Sequence, residues 1–157
     1  MSAALITASV LSLAGLLVSF ALGYVAAAPQ EILSHATFAI FVTLMTLLAH
    51  SMTMFYLIGK GRAIRDAVAE GGLATDAAAR VSALRGPVFK LATLAMASTM
   101  LTAIVGGGVD TGVVPAGVHA VLGMLAIAVG AAALRAIVHA LNESSRIVDE
   151  VNRDLGA

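Results

Sequence analysis

The sequence predicts an all-α integral membrane protein, and its composition and charge distribution carry that prediction. Of its 157 residues, 60% are hydrophobic and only 11% are charged, against about 25% charged residues in a typical soluble domain. Mean hydropathy is +0.99. Residues 1–59 hold one charged side chain, Glu31, and residues 91–134 hold one, Asp110. So few charges cannot cover the surface of a soluble fold, and the apolar stretches therefore belong in lipid.

Four apolar stretches are long enough to cross a bilayer as helices, which takes about 20 residues each. They lie at about 4–28, 32–59, 89–105 and 113–134 and form a single membrane domain. The first stretch has no basic flank and is too long for a signal peptide, so it is predicted to be retained as a helix. Their uninterrupted apolar character argues against a β-barrel, whose strands are short and alternating.

Glycine and proline mark the predicted ends of these helices. The second span continues as a helix until Gly71-Gly72. Thr75 is predicted to cap a short amphipathic helix, which Gly86-Pro87 ends before the third span begins. Residues 106–112 are predicted to be a flexible loop, and Pro115 suits the first turn of the last helix. That helix runs on into the polar tail 135–157.

The basic residues predict the orientation in the membrane. Loop 60–88 and its borders carry six of the nine cations, and the tail carries the other three. Because basic loops stay on the cytoplasmic side, this loop and both termini are predicted to be cytoplasmic. Short connections then favour an antiparallel four-helix transmembrane bundle in the cell inner (cytoplasmic) membrane.

Histidines are the ionisable residues inside the predicted spans, and such residues are functional candidates because lipid disfavours them. His35 and His50 lie in the second span, His119 lies in the fourth, and His139 follows it. At 100° per residue, the second span has one polar stripe about 80° wide. Its members are His35, Thr43, Thr46, His50 and Thr53.

Two of the histidines are predicted to face each other. His35 follows Pro29 by six residues and His119 follows Pro115 by four, so both should lie at one level to within about 3 Å. Two neutral imidazoles at one level suit the two axial positions of a haem iron and favour electron transfer over oxygen chemistry. Ser34 is expected to orient the ligands through hydrogen bonds, as is Thr37.

Small residues form stripes on the other helix faces, and they have two interpretations. Close helix packing is the ordinary one. Room for a flat, bulky cofactor is the other, and the two facing histidines favour it. The glycines assigned to that cofactor are Gly15, Gly23, Gly123 and Gly130.

This layout resembles the b-type cytochromes, in which a four-helix membrane bundle holds haem between histidines of the second and fourth helices. The resemblance rests on His35 with His50, His119 with His139, and the glycines of the first span. It implies one haem b between His35 and His119. In the two-haem family each ligand helix carries two histidines at one spacing. Here the spacings are 15 and 20 residues, a departure from that pattern which bears on a second haem.

His50 keeps three interpretations: a ligand of a second haem, a residue of a quinone site or proton path near Tyr56, or a packing residue bonded to Thr46. His139 is predicted to be solvated or to face lipid headgroups, beside Arg135 and Arg146. Chlorin pigments, which histidines also bind, remain an alternative to haem.

The leading functional hypothesis is a b-type cytochrome subunit of a larger respiratory or photosynthetic complex, an electron carrier rather than a catalyst, with quinone as a candidate partner. The alternatives are a cofactor-free structural subunit and a small transporter or channel. The expected partners are membrane lipids and a larger membrane complex or further copies of the chain. No nucleotide-binding or hydrolase motif occurs, and the basic loop is explained by topology rather than by nucleic acid.

Overall fold

The computed structural model describes residues 1–156, and these form four long helices with no strands among them. Helix α1 spans Ser2–Val25, α2 spans Pro29–Glu70, α3 spans Ala77–Asp110 and α4 spans Ala116–Asp154. All four are long and apolar enough to cross a membrane. With 42 residues, α2 is about 63 Å long at 1.5 Å per residue, about twice the thickness of the bilayer's hydrocarbon core.

Helix α2 begins three residues before its predicted span and ends at the predicted glycines. Pro29 occupies its first turn, and the Glu31 carboxylate accepts hydrogen bonds from the backbone N–H groups of Ala27 and Ala28, at 2.9 and 3.0 Å. At the other end Gly72 adopts φ +60°, which glycine tolerates best, and the N–H of Leu73 closes the turn on the carbonyl of Val68.

Helix α3 corrects two predictions. Gly86-Pro87 does not end a helix, because α3 runs without interruption from Ala77 to Asp110 and includes the glycines at 106–108. Proline removes one hydrogen bond from the helix, but Val81 and Val88 on either side of it are fully buried against neighbouring helices. Tertiary packing therefore outweighs the local signal.

The beginning of α3 also differs in detail from its prediction. Asp76 rather than Thr75 is the N-cap, although the Thr75 hydroxyl accepts a hydrogen bond from the N–H of Ala77 at 3.3 Å. At the start of α4, Pro115 is the N-cap and the first helical residue is Ala116.

Replacing Gly86 by alanine tests the continuity of α3. A Cβ at this position meets no atom within 4 Å, and alanine favours a helix interior over glycine by about 1 kcal/mol. We expect Gly86→Ala to raise the free energy of unfolding by about that amount, measured by thermal or denaturant unfolding in detergent. A loss of stability would show that the chain needs a break at this point.

Two apolar clusters hold the helices together. The first contains a side chain from every helix and includes Leu5, Leu57, Val88, Ile137 and Leu141. The second joins only α2, α3 and α4 and consists of Ile64, Ala77, Val81, Ile147 and Val151. Helices α2, α3 and α4 therefore stay packed together beyond the N-terminal end of α1, and this part of the bundle is called the helical extension.

Ionic contacts accompany the second cluster. The Arg80 guanidinium lies 3.0 Å from Glu150, 3.8 Å from Asp76 and 4.0 Å from Glu143. Elsewhere the exterior carries many large apolar side chains: Leu44, Phe55, Ile104 and Val121 are each at least 60% exposed. An apolar exterior of this extent is stable in lipid and unstable in water.

Candidate cofactor site

His35 of α2 and His119 of α4 meet between the helices. Their ring centroids are 6.1 Å apart, and the ring planes are inclined at 76°. Both side chains are half-buried. The sequence placed the two histidines at one level from their distances to Pro29 and Pro115, and the structure brings their rings together.

The backbone of α3 holds the His119 ring. Nδ1 lies 3.1 Å from the carbonyl oxygen of Thr102. Because a carbonyl oxygen can only accept, Nδ1 carries the proton of this bond, and in the neutral form of the ring the lone pair is on Nε2. A Cβ on Gly106 would lie 3.0 Å from Cε1 of this ring, so the glycine allows the imidazole to approach the helix closely.

The His35 ring packs in the same way on α1. A Cβ on Gly23 would lie 2.7 Å from Cε1 and 2.9 Å from Nε2 of His35. Nδ1 of His35 is buried and has no hydrogen-bond partner within residues 1–156. A buried imidazole nitrogen without a partner is costly, so this atom marks a place where a further group would be stabilising.

Imidazole is a common ligand of haem iron, and the two rings meet edge to face. Nε2 of His35 faces Gly23, however, and the ring must turn to offer that atom to a shared iron. No cluster of three or more His, Asp or Glu side chains with metal-ligand spacing occurs in the described part of the chain.

The other assigned glycines contact side chains of neighbouring helices. Cβ atoms at these positions would meet Val42 from Gly15 at 2.9 Å, Phe20 from Gly123 at 3.1 Å, and Leu13 from Gly130 at 3.4 Å. These three contacts are those of ordinary close packing between membrane helices.

The expected supporting roles of Ser34 and Thr37 are wrong. Ser34 donates to the carbonyl of Gln30 and Thr37 donates to that of Leu33, each within α2, and both residues are exposed. A hydroxyl four residues beyond a free carbonyl readily forms this local bond. The carbonyl of Thr102 orients the one histidine that is held.

His50 is buried elsewhere in the interior, with 3% of its surface exposed. Neither ring nitrogen has a hydrogen-bond partner among residues 1–156. The adjacent hydroxyls do not help, because Thr46 and Thr53 donate to carbonyls of their own helix.

His139 is exposed, as predicted, and does not share a level with His50. Contacts between α2 and α4 join residues 84 or 85 positions apart, as in His35 with His119 and Lys60 with Ser145. Position 50 therefore corresponds to 134–135, about one helical turn before His139.

Gly106 and the Thr102 carbonyl belong to this site but were not assigned to it from the sequence. Both residues lie on the small-residue face of the third span, and that periodicity was the available signal. A backbone carbonyl that accepts from a side chain leaves no trace in residue identity, so only the packing of α3 on α4 reveals it.

Two neighbouring glycines of α3 provide a matched test of the His119 contact. An added Cβ at Gly106 crowds the ring, whereas one at Gly107 meets no atom within 4 Å. Both variants gain the same helix propensity, so we expect Gly106→Ala to be about 1–3 kcal/mol less stable than Gly107→Ala, the usual cost of overpacking. Equal unfolding midpoints in detergent would show that the ring does not lie against Gly106.

The fold defines a multi-pass membrane protein, because its four apolar helices each have membrane-spanning length. No protein-family profile matches the chain, and no curated protein or solved structure is significantly similar to it. Its function is therefore argued from the residues of the site alone.

Proposed function

We propose that this chain is a b-type cytochrome subunit that carries one haem b between His35 and His119. The approach of these two imidazoles, 6.1 Å between centroids, is the observation that carries the proposal. Haem b with an imidazole on each side has no free coordination position and supplies one-electron transfer. The chain would then act as an electron carrier within a larger membrane complex.

The residues of the site have separate tasks in this proposal. The Thr102 carbonyl keeps the proton of His119 on Nδ1, so Nε2 would be the atom that binds the haem iron. The neighbouring glycines, Gly23 and Gly106, leave space beside each ring. A turn of His35 away from Gly23 would present its own Nε2 and free the space that the ring occupies.

The proposed topology is an antiparallel four-helix bundle in the cytoplasmic membrane, with both termini in the cytoplasm. The distribution of basic residues supports that orientation. Ser2 of α1 lies 3.3 Å from the hydroxyl of Tyr56, late in α2, and Gly23 contacts His35, early in α2. These contacts support opposite directions for the first two helices. Under the same proposal, His50 would ligate a second haem, serve a quinone site or proton path, or pack against a facing helix.

A cofactor-free structural subunit is the second candidate. The packing of Gly15, Gly123 and Gly130 against large side chains favours it. Two shallow grooves lie on the exterior, one along Phe89 and Lys90 and one along Leu33 and Phe38, and neither is lined by His35 or His119.

Visible absorption separates the two candidates. The protein would be expressed where haem is plentiful, purified in detergent, and measured oxidised and then dithionite-reduced, with pyridine haemochrome to count haem per chain. We expect a sharp reduced α-band and about one haem per chain. A colourless, folded protein would reject the cytochrome proposal in favour of the structural subunit.

A further inference from the structure

An apolar groove runs along the exterior between α2 and α3. Its lining consists of Met54, Phe89, Lys90, Thr93, Leu94 and Ala97. From Phe89 to Ala97 the groove follows α3 for eight residues, about 12 Å at 1.5 Å per residue. A shallow apolar groove of this length on the surface of a membrane-spanning helix bundle can accommodate part of a lipid acyl chain.

One cation lines this groove, and a second, Arg85, lies five residues earlier in α3. Lys90 belongs to its lining. Gly61 follows Met54 by seven residues and therefore lies on the same face of α2, and the Arg85 guanidinium carbon is 3.8 Å from the position of a Cβ on Gly61. Arg85 thus lies against the same face of α2 as Met54, about two helical turns further along.

Neither cation is neutralised by the protein. Within residues 1–156, no carboxylate oxygen lies within 4.0 Å of Arg85 or Lys90, and Arg85 donates only to the hydroxyl of Ser82, at 2.9 Å. Arg80, five residues earlier in α3, is surrounded by carboxylates. Arg85 and Lys90 therefore keep positive charge that an anionic group could neutralise.

We propose that this groove binds an anionic glycerophospholipid. One acyl chain lies along Met54, Leu94 and Ala97, and the phosphate lies between Arg85 and Lys90. A lysine whose stem follows an apolar surface naturally extends its ammonium towards the headgroups. The site is separate from the paired histidines and does not depend on haem.

The test compares lipid retention by the whole chain. Protein from nanodiscs of equal phosphatidylglycerol and phosphatidylcholine would be extracted in mild detergent, and the retained lipids quantified by mass spectrometry. Each cation near an anionic lipid contributes about fivefold in affinity. The Arg85→Gln/Lys90→Gln double variant should therefore bind phosphatidylglycerol about tenfold to thirtyfold more weakly than the unaltered protein.

Two further variants keep the result interpretable. Arg146→Gln/Arg153→Gln removes the same charge from exposed positions on α4 and should retain phosphatidylglycerol normally. Ala97→Phe fills the groove, leaves both cations, and should reduce retention. Equal loss in both charge variants, no loss in Arg85→Gln/Lys90→Gln, or normal retention by Ala97→Phe would each overturn the proposal; helix content by circular dichroism confirms folding.

Discussion

Under the proposed haem ligation, His119→Ala should abolish haem retention, the largest single effect expected in this protein. A backbone carbonyl already orients the His119 ring through Nδ1, which leaves Nε2 to bind the proposed haem iron. His35→Ala should leave at most a five-coordinate haem with an altered reduced spectrum. The measurement is haem per chain and the reduced α-band of each variant after purification in detergent.

His139→Ala is the matched control, because it removes an exposed histidine from the same helix. It should keep the spectrum and haem content of the unaltered protein. Loss of haem in His139→Ala but not in His35→Ala would overturn the proposed pairing. A ratio near two haems per chain in the unaltered protein would bring His50 and His139 back as ligands.

Ile147→Ala should loosen the helical extension formed by α2, α3 and α4. Ile147 is 1% exposed in the cluster with Ile64 and Val81. Truncation of a buried isoleucine costs about 2–5 kcal/mol through lost burial and a residual cavity. We expect faster amide hydrogen exchange within 60–85 and 140–154, with little change where α1 packs on the other helices.

Asp149→Ala provides the control for this variant, since Asp149 is exposed on the same helix and exposed substitutions rarely change stability by more than about 0.5 kcal/mol. Equal exchange rates in the two variants would show that the second cluster does not stabilise the extension. Faster amide hydrogen exchange spread evenly over all four helices would show that the extension and the rest of the bundle unfold as one unit.

The helices were largely predictable because lipid imposes a simple rule on sequence. A spanning helix needs a long apolar run, and this chain contains four. The stop at Gly71-Gly72 also followed from local chemistry, since a glycine with φ +60° closes α2. Gly86-Pro87 is a local signal that usually ends a helix. It does not do so here, because Val81 and Val88 on either side of it in α3 are buried against neighbouring helices.

The candidate site was predictable in part. Helical periodicity and distance from two prolines were enough to bring His35 and His119 together. The same reasoning did not find what surrounds each ring, because contacts to Gly23 and Gly106 depend on how α1 and α3 are rotated. It also assigned Ser34 and Thr37 to the site, whereas both hydroxyls bond to their own helix.

The sequence by itself determined that the chain is helical and apolar, that it has four membrane-spanning stretches, and which two histidines lie at one level. These properties depend on residue type and spacing along one helix. Only the tertiary structure decided which glycine each histidine contacts, that Thr102 orients His119, and that α3 continues through Pro87. Those outcomes depend on contacts between helices, where the free energy of side-chain packing exceeds that of local conformational preference.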